Sequence, residues 1–254
     1  MAYPIFLWTQ RIFCLPLFLC CFLSGLAQES EKQKLVQELN AISEHYRGIE
    51  YLSFDIGYKY SNEQQPGAYL DTLIGSFKIS GGNYWYRLDN TEAIGNNDLL
   101  LMLFKEDQII YLTKPSSFSV YQKPLDLIDS LLKNNDIISS SIRTVNKQRK
   151  IVLRFKAGMK YKSIEYDIDE SSGFILKMRC IVGASALYEL SVKSLLENEN
   201  TYAVIEAEFT NYQKTAFSSD QFNLTKYFKK EGDEYIALPP YENYKIFLGT
   251  THLQ

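Results

Sequence analysis

The sequence predicts an α+β fold: a strongly curved antiparallel half-barrel sheet whose concave face is covered by helices. Three observations lead there. From Leu52 onward the large apolar residues recur at every second position through run after run, which is the period of half-buried antiparallel strands. Counted along the chain, these runs make about nine to eleven strands, a width at which an open sheet tends to curl. Two further stretches carry apolar residues at helical spacing, enough to cover one face of such a sheet.

Before the first of these elements, residues 1–27 have a different composition. Arg11 precedes an apolar run from Ile12 to Leu23, followed by Ser24-Gly25-Leu26-Ala27. That layout predicts a secretory signal peptide cut after Ala27, because a spanning helix needs about 20 apolar residues and this run is shorter. Residues 28–254 are then expected to form one exported domain without an integral membrane span. Three of the four cysteines, Cys14, Cys20 and Cys21, leave with the leader, and Cys180 stays alone. A single thiol makes no internal disulfide, so stability must come from a hydrophobic core. Without Arg11, 26 basic residues face 30 acidic ones, a net charge of −4. That balance argues against nucleic acid or anionic headgroups as the main partner, since both call for clustered Lys and Arg. The short runs Lys147-Gln148-Arg149-Lys150 and Lys229-Lys230 read as turn residues or a solvated face.

The first predicted element is a helix over Glu31 to Tyr46, in which Leu35, Leu39, Ile42 and Tyr46 form one apolar stripe and Gly48 is placed to stop it. The period then changes to two. Leu52, Phe54, Ile56, Tyr58 and Tyr60 alternate with polar or small residues, and after a turn at Asn62 to Gly67 the residues Leu73, Phe77 and Ile79 share a face. Ser80-Gly81-Gly82-Asn83 suits a tight hairpin, because glycine reaches the positive dihedrals such turns require. Tyr84, Tyr86 and Leu88 resume the alternation, and strands are expected near Asp98–Lys105 and Gln108–Thr113. Pro124 to Asn134 interrupts the rhythm with Leu125, Ile128, Leu131 and Leu132 at helical spacing behind a proline. Strands return at Ile138–Val145, Arg149–Phe155, Lys160–Asp169 and Gly173–Val182, then twice within Leu187–Gln213 around Glu197–Asn200. The first of that last pair also suits a helix. Residues 214–254 read as irregular, with short strands near Phe222–Phe228 and Tyr244–Leu248.

No catalytic or cofactor motif is present, so neither an enzyme activity nor a cofactor is expected. His45 and His252 are the only histidines, too few for a metal site that needs three or four converging ligands. Cys180 has no partnering histidine pattern and reads as a small buried apolar group. Gly183-Ala184-Ser185-Ala186 falls short of a nucleophile elbow. Asp167 and Asp169 share a strand face, but the rest of a calcium loop is missing, so a solvated strand end is the simpler reading. Asn223-Leu224-Thr225 fits a glycosylation tripeptide, which would carry no meaning if the cell is bacterial. The tyrosines say more, since 18 of the 19 follow residue 27 and many fall in strands. A tyrosine on the concave face offers apolar area plus a hydroxyl, a combination suited to acyl chains near a polar headgroup. The expected ligand-lining residues are Phe54, Ile56, Phe77, Ile79, Tyr84, Tyr86, Ile109 and Tyr111, with the alternative that they pack simply as core. Trp85 and Arg87 should point to the opposite, convex face, where they could mark a docking surface.

Three local signatures resemble the LolA-like periplasmic lipoprotein carriers and their LolB-like relatives. Gly75-Ser76-Phe77-Lys78-Ile79 followed by Tyr84-Trp85-Tyr86 is similar to that family's strand, turn and aromatic strand. Asp107-Gln108-Ile109-Ile110-Tyr111-Leu112-Thr113-Lys114-Pro115 is similar to its Asp-Gly, aromatic, proline segment, and Pro124-Leu125-Asp126-Leu127-Ile128 to the start of its lid helix. Gly81-Gly82 stands where the family has an arginine-proline pair tied to cargo release, and Gln108 stands where it has glycine. The resemblance, that of a divergent Bacteroidetes-type member, implies a LolA-like half-barrel and a periplasmic location. It also implies a non-enzymatic role in binding or carrying an acyl chain, lipid or lipoprotein. The alternative is an envelope scaffold or interaction subunit whose barrel is filled by its own side chains and which binds another envelope protein.

Overall fold

The computed structural model describes residues 33–114, 136–183 and 202–249. The predicted signal peptide, the Pro124–Asn134 helix, the first of the two strands expected after Leu187, Gly183-Ala184-Ser185-Ala186 beyond its glycine, and His252 lie outside these residues.

Helix α1 occupies residues 33–47 and turns Leu35, Leu39, Ile42 and Tyr46 inward, each at most 6% exposed. Gly48 follows, its N–H donating to the Glu44 carbonyl at 3.0 Å. Eleven strands then come in chain order: β1 (Tyr51–Asn62), β2 (Tyr69–Ser80), β3 (Asn83–Leu88), β4 (Thr91–Gly95), β5 (Leu100–Phe104), β6 (Ile109–Thr113), β7 (Ile137–Val145), β8 (Gln148–Phe155), β9 (Tyr161–Asp169), β10 (Ile175–Gly183) and β11 (Tyr202–Gln213). After two 3₁₀ turns come β12 (Phe228–Glu231), β13 (Glu234–Ala237) and β14 (Lys245–Leu248).

Twelve strands form one sheet in the order β14-β6-β5-β4-β3-β2-β1-β11-β10-β9-β8-β7, while β12 and β13 make a separate hairpin. All neighbours in the large sheet are antiparallel except β14 and β6, which run parallel. The sheet is open, with β14 and β7 at its two ends. Each face is defined by strict alternation: in β1 the residues Leu52, Phe54, Ile56, Tyr58 and Tyr60 are buried and those between them half-buried.

Two hydrophobic cores result, one on each face. The larger joins α1 to the alternate residues of β1–β5 and β8–β11. The smaller lies on the opposite face of β3–β6, where Ile94, Leu101, Leu103, Ile110 and Leu112 pack beneath Leu224, Tyr227, Phe228, Tyr235, Tyr241 and Tyr244. The C-terminal segment is therefore a cover for the second face. This corrects the expectation for residues 214–254. Ser219–Phe222 and Leu224–Lys226 are 3₁₀ turns, capped by the Ser218 and Asn223 side chains, and the strand begins only at Phe228. The elsewhere uncovered part of that face, on β1 and β8–β11, carries ion pairs across the strands: Lys150–Glu165 at 3.0 Å, Arg179–Glu165 at 3.7 Å, Arg179–Glu206 at 3.5 Å and Lys177–Glu208 at 3.1 Å. Exposed pairs of this kind add little stability but keep the face wet.

Sequence reading missed β13 in the separate hairpin and, in the large sheet, β4. Its sequence TEAIG has no alternation because both of its faces are covered: Ala93 belongs to the larger core and Ile94 to the smaller. The expected covering of one face by helices is met by a single helix among the described residues, α1.

Candidate functional site

The face that holds α1 brings the eight expected lining residues together. Cross-strand register places Phe54 beside Phe77, Phe77 beside Tyr86, Ile79 beside Tyr84 and Ile56 beside Gly75, so β1, β2 and β3 present them to one side. Ala93 and Met102 carry the same row across β4 and β5 to Tyr111 on β6, and Phe104 pairs with Ile109.

Rings form a connected path across this face. Phe54 and Phe77 stack at 5.2 Å, Phe77 and Tyr86 at 5.1 Å, Phe54 lies 5.3 Å from Tyr212, and Tyr212 stacks on Phe174 at 4.1 Å. Stacked pairs of this kind contribute roughly 0.5–1.5 kcal/mol each beyond the area they bury. Glycines make room for the rings. A Cβ on Gly95 would stand 2.4 Å from the Tyr84 ring, and one on Gly249 would stand 2.1 Å from the Tyr111 hydroxyl, so both rings lie against bare backbone.

The path ends on α1. Tyr46 accepts the Ile175 N–H at 2.8 Å and lies 3.1 Å from the Tyr212 hydroxyl, which donates to the Ile175 carbonyl at 2.7 Å. Both backbone groups of Ile175 are thus held by phenols. Arg149 on β8 reaches Glu38 in mid-helix at 2.6 Å. These anchors fix α1 to the β8–β11 half of the sheet. In the other half Phe54, Ile56, Phe77 and Tyr86 are at most 3% exposed, whereas Ile79 on β2, Met102 on β5 and Ile109 and Tyr111 on β6 are half-buried.

The phenols and the thiol of this face are neutral. Burial pushes the Tyr60 hydroxyl up to about 12 and those of Tyr58, Tyr86 and Tyr166 well above their ordinary value, so these phenols keep their protons. The Cys180 thiol, buried on β10, is likewise pushed up to about 12 and is no nucleophile at neutral pH. His45 sits half-buried, its ring 5.4 Å from that of Phe174. Burial, aided by the nearby Lys214 ammonium, lowers its pKa. Asp169 closes its own turn by accepting the Ser171 and Ser172 N–H groups, and Asp167 lies 3.7 Å from Lys150. Among the described residues no three His, Cys, Asp or Glu side chains gather as a metal site, and no helix is long and apolar enough to cross a membrane.

On the opposite face Trp85 is half-buried under the C-terminal segment, with Lys78 Nζ 5.4 Å above its ring. It is a packing residue of the smaller core, and of the expected pair only Arg87 remains exposed. The covering of Trp85 had no local signal, because the residues that cover it lie some 140 positions downstream.

The chain matches no family model and no curated protein. Among solved structures it is similar to an uncharacterized conserved protein from Thermus thermophilus, at 6% identity and a TM-score of 0.43 over 85% of this chain and 98% of that one. A LolA superfamily protein from Nitrosomonas europaea is similar at 10% identity, TM-score 0.34, over 73% of this chain and 97% of that one. The lipoprotein LppX of Mycobacterium tuberculosis gives 8% identity and a TM-score of 0.34 over 73% and 98% of the two chains.

Proposed function

We propose that this chain is a non-enzymatic periplasmic protein, exported by its first 27 residues, that binds or carries an acyl chain, a lipid or a lipoprotein on the α1 side of a half-barrel sheet. The observation that carries this reading is the make-up of that face. Eight apolar or aromatic residues share it, its phenols stay neutral, and the cross-strand ion pairs stand on the other side. An acyl chain laid along Ile79, Met102, Ile109 and Tyr111 would remove apolar area from water at roughly 25 cal/mol per Å². Those residues are the less deeply buried positions of the face, so a ligand enters over them while α1, anchored on the β8–β11 half, yields.

Titration of the purified chain with a fluorescent fatty acid tests this. Saturable binding is expected, weakened at least tenfold in Ile79→Glu and in Tyr111→Glu, with the melting temperature of both variants close to that of the parent. Absence of saturable binding in the parent overturns the reading.

A second reading, an envelope scaffold whose interior is filled by its own side chains, is favoured by the near-complete burial of Phe54, Ile56 and Tyr86. It predicts a stoichiometric envelope-protein partner that stays bound after delipidation.

A further inference from the structure

We infer that Tyr166, with the Tyr58 and Cys180 side chains near it, forms a hydrogen-bonding site on the α1 side of the sheet for the carbonyl of an uncharged acyl ester. Such a site rests on the reading that a lipid binds on this face. Tyr166 is fully buried, and among the described residues its hydroxyl meets no hydrogen-bond partner. A phenol so placed has given up water and gained nothing in exchange, whereas a phenylalanine would fill nearly the same volume without that loss. Native interiors leave few polar groups in this state, and each one calls for a water, an ion or a ligand.

Strand register gives the surroundings. Tyr166 on β9 pairs with Met178 on β10, Met178 with Ala207 on β11 and Ala207 with Tyr58 on β1, so the two phenols share one row of the larger core. Between them stands the short side chain of Ala207. The next row carries Cys180, Ile205 and Tyr60, and the Tyr60 ring stacks with that of Tyr58 at 6.3 Å. Tyr58, Tyr60 and Cys180 are each at most 6% exposed. Burial raises the pKa of both Tyr58 and Tyr166, Tyr60 adds to the first, and the Cys180 thiol adds to both, as a group close to the two hydroxyls must.

Charge and donor type select the ligand. All three groups keep their protons at neutral pH, so they offer O–H and S–H donors and no cation. Arg179, whose charge reaches Cys180, lies on the wet face and is engaged there by Glu165 and Glu206. A carboxylate or phosphate brought to Tyr166 would be a buried anion without a counter-charge, which is a costly arrangement. A carbonyl needs one donor and brings no charge. On a lipid that group is the ester of an acyl chain, with Met178, Ala207 and Ile205 as apolar walls for the carbons on either side of it.

One fluorescent acyl chain, offered to the purified chain as its methyl ester, as its free carboxylate at neutral pH and as the unsubstituted alkyl chain, tests the site by titration. The parent is expected to bind the ester at least about tenfold more tightly than the carboxylate, because only the second buries a charge. Tyr166→Phe should weaken the ester at least about fivefold, the worth of one buried hydrogen bond, and leave the alkyl chain unchanged. Without ligand this variant should melt at or above the parent temperature, since it loses a hydroxyl that the fold does not use. Equal weakening of ester and alkyl chain, no change in either, or a parent that prefers the carboxylate overturns the inference and leaves lipid binding in place. A variant that melts well below the parent has lost a hydroxyl held by the fold or by a buried water, and that result overturns it as well. A parent that takes up none of the three probes removes the carrier reading itself, and this site with it.

Discussion

The Trp85 indole N–H donates to Glu92 Oε1 at 2.7 Å, across the β3–β4 pair and beneath the C-terminal segment. The same carboxylate accepts the Tyr227 hydroxyl at 3.3 Å and pairs with Lys105 at 3.0 Å. Glu92 is only 14% exposed at its side chain and serves as the pin that holds residues 214–249 on the sheet.

Replacing it with leucine leaves two donors without an acceptor, at about 1–3 kcal/mol per buried group. Glu92→Leu is expected to lower stability by about 2–6 kcal/mol on that basis and to open the C-terminal segment to proteolysis before the rest of the chain. Trp85 is the one tryptophan after residue 27, so its fluorescence follows the release directly. Glu92→Gln keeps an acceptor and should fall between the two.

Gly95 gives a sharper case of close fit. The Tyr84 ring lies where its Cβ would be, 2.4 Å away. Gly95→Val forces the ring off the sheet, and overpacking of this kind costs about 1–3 kcal/mol. A denaturant titration should show that loss, and fluorescent fatty acid binding should weaken in the same variant because Ile79, the partner of Tyr84, is displaced.

At the other end of the site, Tyr46 and Tyr212 act as one unit on Ile175. Tyr46→Phe removes the acceptor of a buried N–H, and Tyr212→Phe removes the donor to the carbonyl. Each should cost about 1–3 kcal/mol. Because they share partners, the double variant should cost less than the sum, and amide exchange in residues 33–47 should rise in all three.

His45 makes the anchoring of α1 sensitive to pH. Its pKa is lowered in the folded chain, chiefly by burial and then by Lys214. The unfolded chain therefore takes up a proton first as pH falls below about 6.5. Stability is full above that value and declines as pH drops toward the lowered folded value. His45→Gln should flatten the decline, measured as melting temperature against pH between 7.5 and 5.

Much of this architecture is legible in the residues because one face of each long strand is wet. Where that holds, as in Leu52 to Tyr60, alternation gives both the strand and the side to which each residue points. The lining residues share a face for that reason. Legibility ends where both faces are covered. The sequence of β4 does not alternate, and Trp85 is hidden by a segment whose own signal is a scatter of tyrosines between Tyr227 and Tyr244. Parallel pairing of β14 with β6 had no local mark either, since four residues carry too little pattern to choose a neighbour.

Native mass spectrometry of the chain, exported and purified without harsh detergent, tests the central claim most directly. A single bound lipid or acylated species per chain, lost in Ile79→Glu, is the predicted result. A parent chain that arrives consistently empty, and that takes up no lipid when one is offered, contradicts it.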